Sequence, residues 1–235
     1  MDLFKQVRHG VIVSCQALPD EPLFGSQIMA RMAAAAAAGG AVAIRANTGA
    51  DVSSIKDTVD LPVIGIVKRS YPDSEVYITP TEKEVDELIA AGADMIAFDA
   101  TRRRRPGGVT LEGMVRYIKA KGRLAMADVS TLEEALYAES LGVDCVSTTL
   151  SGYTPYSPQI DIPDFQLAEK AAAALKVPLI AEGRISEPSH VMRMLGLGVH
   201  AVVVGSAITR PQLITKRFTA AAKRSISIHG SESKS

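Results

Sequence analysis

An apolar run in the segment KVPLIAEGRI, residues 176–185, leads straight into a glutamate, and glycine and arginine follow at once. A carboxylate at the end of a buried strand is costly unless something uses it, which makes Glu182 a candidate for chemistry. Lys68 stands in the same way after VIGIV. An ammonium there needs a nearby carboxylate or a depressed pKa, and a neutral lysine can act as a base or form a Schiff base; the alternative is a strand-end lysine reaching to solvent. The polar residues that close the other apolar runs are Gln16, Arg45, Asp99, Asp128, and Ser147, Thr148 and Thr149. Gathered on one rim they would put an amide, two cations and three carboxylates together, more than packing alone requires. Asp99 could instead satisfy local backbone amides in the loop it opens, and Asp128 could equally cap the helix after it.

A second set of residues suits an anion. EGRI supplies Gly183 and Arg184, and VVVGSAITRP supplies Gly205 and Arg210. Glycine lets backbone amides approach a ligand closely, the second segment opens a short helix, and each arginine can add charge-assisted hydrogen bonds. Two such segments at the last two strand ends predict a phosphate monoester on the substrate. Arg102–Arg105 form an unbroken basic run. Nucleic-acid binding would need a wider basic face or interleaved aromatics, and neither is present nearby. The run reads as a solvated loop, or as one leaning over an anionic ligand.

Eight short Val- and Ile-rich runs would position these residues: 11–16, 41–45, 63–67, 94–99, 123–127, 143–147, 177–181 and 199–204. They are apolar without alternation, as strands buried on both faces of a parallel sheet must be. TEKEVDELIAAG, TLEEALYAESLG and EPSHVMRMLGLG carry apolar residues at three-and-four spacing and end in glycine, which predicts helices between the strands. The pattern of helix end, glycine, strand and small polar residue recurs in AAGGAVAIRAN, AAGADMIAFDA, ESLGVDCVSTT and GLGVHAVVVGS. Eight such units in 235 residues favour an α/β fold of the (β/α)8 TIM-barrel kind over a doubly wound sheet. Residues 1–228 are expected to form one barrel domain, with 229–235 a frayed polar tail. Segments 69–80 and 148–163 exceed ordinary connections and should lie over the active face.

Lys plus Arg and Asp plus Glu number 26 each, so no net field drives binding to nucleic acid or an anionic membrane. The longest nearly uncharged apolar run, Met32–Ile44, is too short to span a bilayer, and the amino terminus lacks a credible cleavage site. Cys15 and Cys145 each sit in an apolar run, which suits buried thiols in a reducing cytoplasm.

VSCQALPDEP, AIRANT, PVIGIVKRSYPDSEVYITPT, DATRRRRP, ADVSTLEEA, STTLSGYT, IAEGRI and VVVGSAITRP follow one another in this order. Together they resemble the bacterial N-acetylmannosamine-6-phosphate 2-epimerases of sialic acid catabolism, from about Gly10 to Phe218. The resemblance implies a (β/α)8 barrel of the ribulose-phosphate-binding type that interconverts N-acetylmannosamine 6-phosphate and N-acetylglucosamine 6-phosphate with neither metal nor organic cofactor. It further implies that Lys68 and Glu182 are catalytic and that Gln16, Arg45, Asp128 and Thr149 bind the sugar and its acetamido group. Gly183, Arg184, Gly205, Ser206 and Arg210 would hold the phosphate. A homodimer is expected, from the family association and from apolar patches in the last helix.

Overall fold

A computed structural model describes residues 2–232, with side chains to residue 224. Among the described residues the strands are Val11–Cys15 (β1), Ala43–Asn47 (β2), Val63–Ile66 (β3), Met95–Asp99 (β4), Leu124–Asp128 (β5), Cys145–Ser147 (β6), Leu179–Ala181 (β7) and Ala201–Val204 (β8). They pair in parallel in sequence order and close on themselves, with Val13 opposite both Ile44 of β2 and Val204 of β8. The expected (β/α)8 TIM barrel is therefore the observed fold.

Side chains alternate across each strand. On β4, Met95 and Ala97 fill the barrel interior while Ile96 and Phe98 face the surrounding helices. Both sides are buried, which is why the strand sequences are apolar without alternation. The helices are Leu3–Val7 (α1), Ser26–Ala38 (α2), Gly49–Lys56 (α3), Glu82–Ala90 (α4), Leu111–Ala120 (α5), Leu132–Ser140 (α6), Phe165–Ala174 (α7), Pro188–Gly196 (α8), Ser206–Thr209 (α9) and Pro211–Glu232 (α10). Thr81 and Thr131 start α4 and α6 with reciprocal capping boxes to Glu84 and Glu134. The alanine run lies in α2, where Ala30 and Ala33 are buried against the barrel. α1 was not expected; its Val7 joins the interior cluster, with Leu3 and Phe4 packed against it.

Two expectations need adjustment. β2 runs on to Asn47, paired with Ile66, so Arg45 lies inside the strand rather than at its end. Segment 69–80 is a stapled hairpin rather than a plain loop: Lys68 bridges Ile78, the Arg69 amide donates to the Tyr77 carbonyl at 2.9 Å, and the Thr79 amide donates to the Val67 carbonyl at 2.8 Å. The described backbone of α10 runs to Glu232, and residues 233–235 of the expected polar tail lie outside the described residues. No described helix is long and apolar enough to cross a membrane.

Candidate active site

Strand alternation explains how the polar rim forms. Ile12, Ile64, Ile66, Met126, Cys145 and Ile180 point inward. Counting on by twos from these and from Ala43 puts Ser14 and Gln16, Arg45, Lys68, Asp128, Ser147 and Glu182 on the same inner side, toward the carboxyl-terminal mouth of the barrel. A cavity of about 820 Å³ opens there, and Gln16, Arg45, Lys68, Thr149 and Glu182 line it.

Arg45 is the hub. Its side chain is 1 % exposed, and its Nη1 and Nη2 donate to Asp128 Oδ1 and Oδ2 at 3.1 and 2.5 Å. The same Nη1 lies 3.0 Å from Glu182 Oε2. The two carboxylates keep the buried guanidinium charged, outweighing the desolvation that opposes it. Asp128 is fully buried and does not line the cavity; it holds Arg45 from beneath rather than capping α6, a role Thr131 fills. Thr149 Oγ1 stands 2.8 Å from Asp128 Oδ1 and 3.1 Å from Glu182 Oε2. One hydroxyl has a single proton to give, so a protonated Glu182 can donate back to Thr149. Burial raises the Glu182 pKa, and the Arg45 charge only partly opposes it.

Lys68 is held through its backbone, its amide donating to Asn47 Oδ1 at 2.8 Å. Among the described residues its Nζ has no ion pair or hydrogen bond. Burial lowers its pKa, the Arg45 charge lowers it further, and Glu182 works in the opposite direction. The neighbouring Arg69 is clamped by Glu84 and, at 2.9 Å, by Glu87. Gln16 Nε2 donates to Ser14 Oγ at 2.8 Å, while its buried Oε1 has no partner among the described residues.

Gly183, Arg184, Gly205, Ser206 and Arg210 line the same cavity. Gly183 has φ +113, a conformation that favours glycine. Arg184 also anchors the 148–163 loop: its Nε donates to the Ile162 carbonyl at 2.9 Å and its Nη1 to the Ser151 carbonyl at 2.8 Å. Arg210 Nη1 donates to Ser206 Oγ at 3.2 Å, and its other edge is paired with Glu21.

The other singled-out residues serve the frame. Asp99 accepts from the Thr101 amide at 2.9 Å, the local role open to it in the sequence, and pairs with Arg103 at 2.6 Å. The arginine run is not a solvated loop throughout, because its members disperse. Arg102 pairs with Glu133 on the surface, Arg103 turns back to Asp99, and Arg105 is buried over Phe98 with its pKa pushed down to about 10 by desolvation. Tyr77, Tyr153, Arg69 and Arg217 also line the cavity. Sequence reading passed over them because each arrives from a loop or from α10, where no strand register predicts direction. Ser14 and Asn47 were within reach, since they share the inward period of Gln16 and Arg45.

A closed parallel barrel with its charged cavity at the carboxyl ends of the strands is the architecture of the TIM-barrel enzymes. The model of one such family, described as "Putative N-acetylmannosamine-6-phosphate epimerase", matches residues 29–224. The chain belongs to this family. A relative from Clostridium perfringens strain SM101, named "Putative N-acetylmannosamine-6-phosphate 2-epimerase", is 60% identical over 213 residues, covering 91% of this chain and 96% of its own. One of the same name from Clostridioides difficile strain 630 is 54% identical over 219 residues, covering 93% and 98%. The solved N-acetylmannosamine-6-phosphate 2-epimerase of Clostridium perfringens superposes with a TM-score of 0.93 at 57% identity, over 94% of this chain and 96% of that one. Thiamine phosphate pyrophosphorylase from Pyrococcus furiosus, 20% identical with a TM-score of 0.61 over 88% and 90% of the two chains, shares the fold alone.

Proposed function

We propose that the protein interconverts N-acetylmannosamine 6-phosphate and N-acetylglucosamine 6-phosphate at carbon 2, in the breakdown of sialic acid and related amino sugars. The observation that carries this reading is the opposed tuning of Lys68 and Glu182 in one cavity: the amine is pushed toward neutrality and the carboxyl toward its protonated form. A neutral amine is a base, a protonated carboxyl is an acid, and epimerisation by proton transfer needs both.

The carbon 2 proton becomes removable once the sugar ring opens and carbon 1 is an aldehyde. Lys68 takes that proton. The Arg45 charge steadies the enolate, at a site where burial strengthens the interaction. Glu182 assists ring opening or returns a proton to the opposite face. Asp128 and Thr149 keep Arg45 and Glu182 in register, and Gln16 offers its free Oε1 to the sugar or its acetamido N–H. Gly183, Gly205 and Ser206 present polar groups to the phosphate, with Arg184 and Arg210 adding charge. No step calls on a metal or an organic cofactor.

Proton NMR of the purified protein with N-acetylmannosamine 6-phosphate tests the activity: the gluco epimer should appear, and its absence with ligand bound would contradict the proposal. A neutral Lys68 would also suit Schiff-base chemistry, and borohydride separates the two, since only an imine is trapped. A homodimer is part of the same reading, supported by α10, where Leu213 and Phe218 are exposed on a helix without a buried described residue. A cytoplasmic site of action agrees with two free, buried cysteines.

A further inference from the structure

We propose that Glu21 is the positioning residue of the phosphate end, fixing Arg210 before the ligand arrives and tying the loop after β1 to the phosphate site. The inference rests on the proposed role of Arg210 as a phosphate ligand.

Residues 16–25 connect β1 to α2, and Glu21 sits at the centre of the connection. Its amide donates to the Leu18 carbonyl at 2.9 Å, and its carbonyl accepts from the Phe24 amide at 3.1 Å. The carboxylate turns back into the same loop and across to the far end of the chain. Oε2 accepts from the Leu18 amide at 2.8 Å and from Arg210 Nη2 at 2.9 Å. Oε1 accepts from Arg210 Nε at 2.8 Å and from Gln212 Nε2 at 3.1 Å. Two parallel contacts on one edge set the plane of the guanidinium. The Nη1 corner remains directed at Ser206, where the phosphate is expected. The side chains of Arg210 and Glu21 are only 25 % and 16 % exposed, so solvent screens the pair weakly. An arginine left free at a helix start samples many rotamers, and ordering it on binding weakens affinity. Glu21 removes that penalty in advance. Because the same loop carries Gln16, the two ends of the substrate are read by one connected segment.

The test compares Glu21→Gln, Glu21→Asp, Arg210→Ala and the Glu21→Gln/Arg210→Ala double variant in the full chain. It reads the KM for N-acetylmannosamine 6-phosphate, the inhibition constant of inorganic phosphate, and the pH profile of kcat. Glu21→Gln should raise both constants by about tenfold, the scale of one lost charge-assisted contact, and move the Lys68 limb of the pH profile only slightly, toward lower pH, because the Glu21 charge is the weakest of those acting on Lys68. Glu21→Asp, with the charge kept but withdrawn by one methylene, should fall between, and it carries the comparison if the Gln variant does not fold. The double variant should be no worse than Arg210→Ala. Unchanged constants in the Glu21 variants, additive losses in the double variant, or tighter inhibition by phosphate would overturn the proposal, the last by making Glu21 a competitor for Arg210. If Arg210→Ala alone leaves phosphate inhibition unchanged, Arg210 is not a phosphate ligand and the inference falls with it, while the epimerase reading still stands or falls by NMR.

Discussion

Burial and the Arg45 charge lower the Lys68 pKa, and burial raises that of Glu182, which sets the pH behaviour of the reaction. The proposed mechanism calls for a neutral lysine and a protonated glutamate, one proton between the two groups. Acid puts a proton on the Lys68 base and alkali takes the proton from the Glu182 acid, so kcat/KM should follow a bell whose limbs belong to the pair. Glu182→Gln should flatten the alkaline limb in whatever activity survives, and an unaltered bell would remove Glu182 from the titration. Lys68→Ala and Glu182→Ala should each lower turnover by about 10²–10⁴-fold, the usual contribution of a positioned acid or base; near-normal turnover in either would take that residue out of the mechanism. Asp128→Ala leaves half of the Arg45 charge balance missing in a buried setting, and urea unfolding should show a loss of about 3 kcal/mol. Glu182 and Lys68 were legible in the sequence because a charge after a buried run needs a use. The Arg45–Asp128 pair was not, because it joins residues 83 positions apart and depends on both strands turning those side chains inward.

At the scale of elements, the site depends on how closely α4 lies on β3, the strand that delivers Lys68. Gly65 makes the approach possible: a Cβ there would come within 2.8 Å of Leu88 Cδ2 and 3.0 Å of Ala93 Cβ. Gly65→Ala should therefore overpack this contact and destabilise the fold by about 2 kcal/mol, measured by urea unfolding; a change near zero would mean that α4 yields without strain. Above β3 the 69–80 hairpin is stapled rather than loose. Thr79 Oγ1 donates to the Ala97 carbonyl at 2.6 Å, and Ser74 Oγ donates to the Arg104 carbonyl at 2.7 Å, so the arginine-run segment braces the hairpin that follows Lys68. Composition marked this segment as irregular, and its hairpin pairing escaped notice because it depends on contacts with β4 and the segment beyond. Helices with three-and-four spacing, closing glycines and a threonine cap (α4, α6) or a leading Glu-Pro (α8) were easier to read, and all three begin within a residue or two of where those signals put them.

For the whole molecule, two-sided burial writes the barrel into the sequence: a strand packed on an interior of side chains and on an outer ring of helices is apolar on both faces until it reaches the polar mouth. Strand number and order followed from that, while strand ends shifted by one or two residues, as with β2, because the neighbouring ladder decides where pairing stops. α10 leaves Phe218 74% exposed, and under the proposed dimer a second copy covers this face. Light scattering coupled to gel filtration should give twice the chain mass, and Phe218→Glu should shift it toward the monomer; a monomeric parent protein would contradict the dimer. The most direct test of the account is proton NMR of N-acetylmannosamine 6-phosphate with the protein in deuterium oxide. Removal and return of the carbon 2 proton predicts the gluco epimer with deuterium at that carbon. Bound ligand that neither epimerises nor exchanges would contradict the central claim.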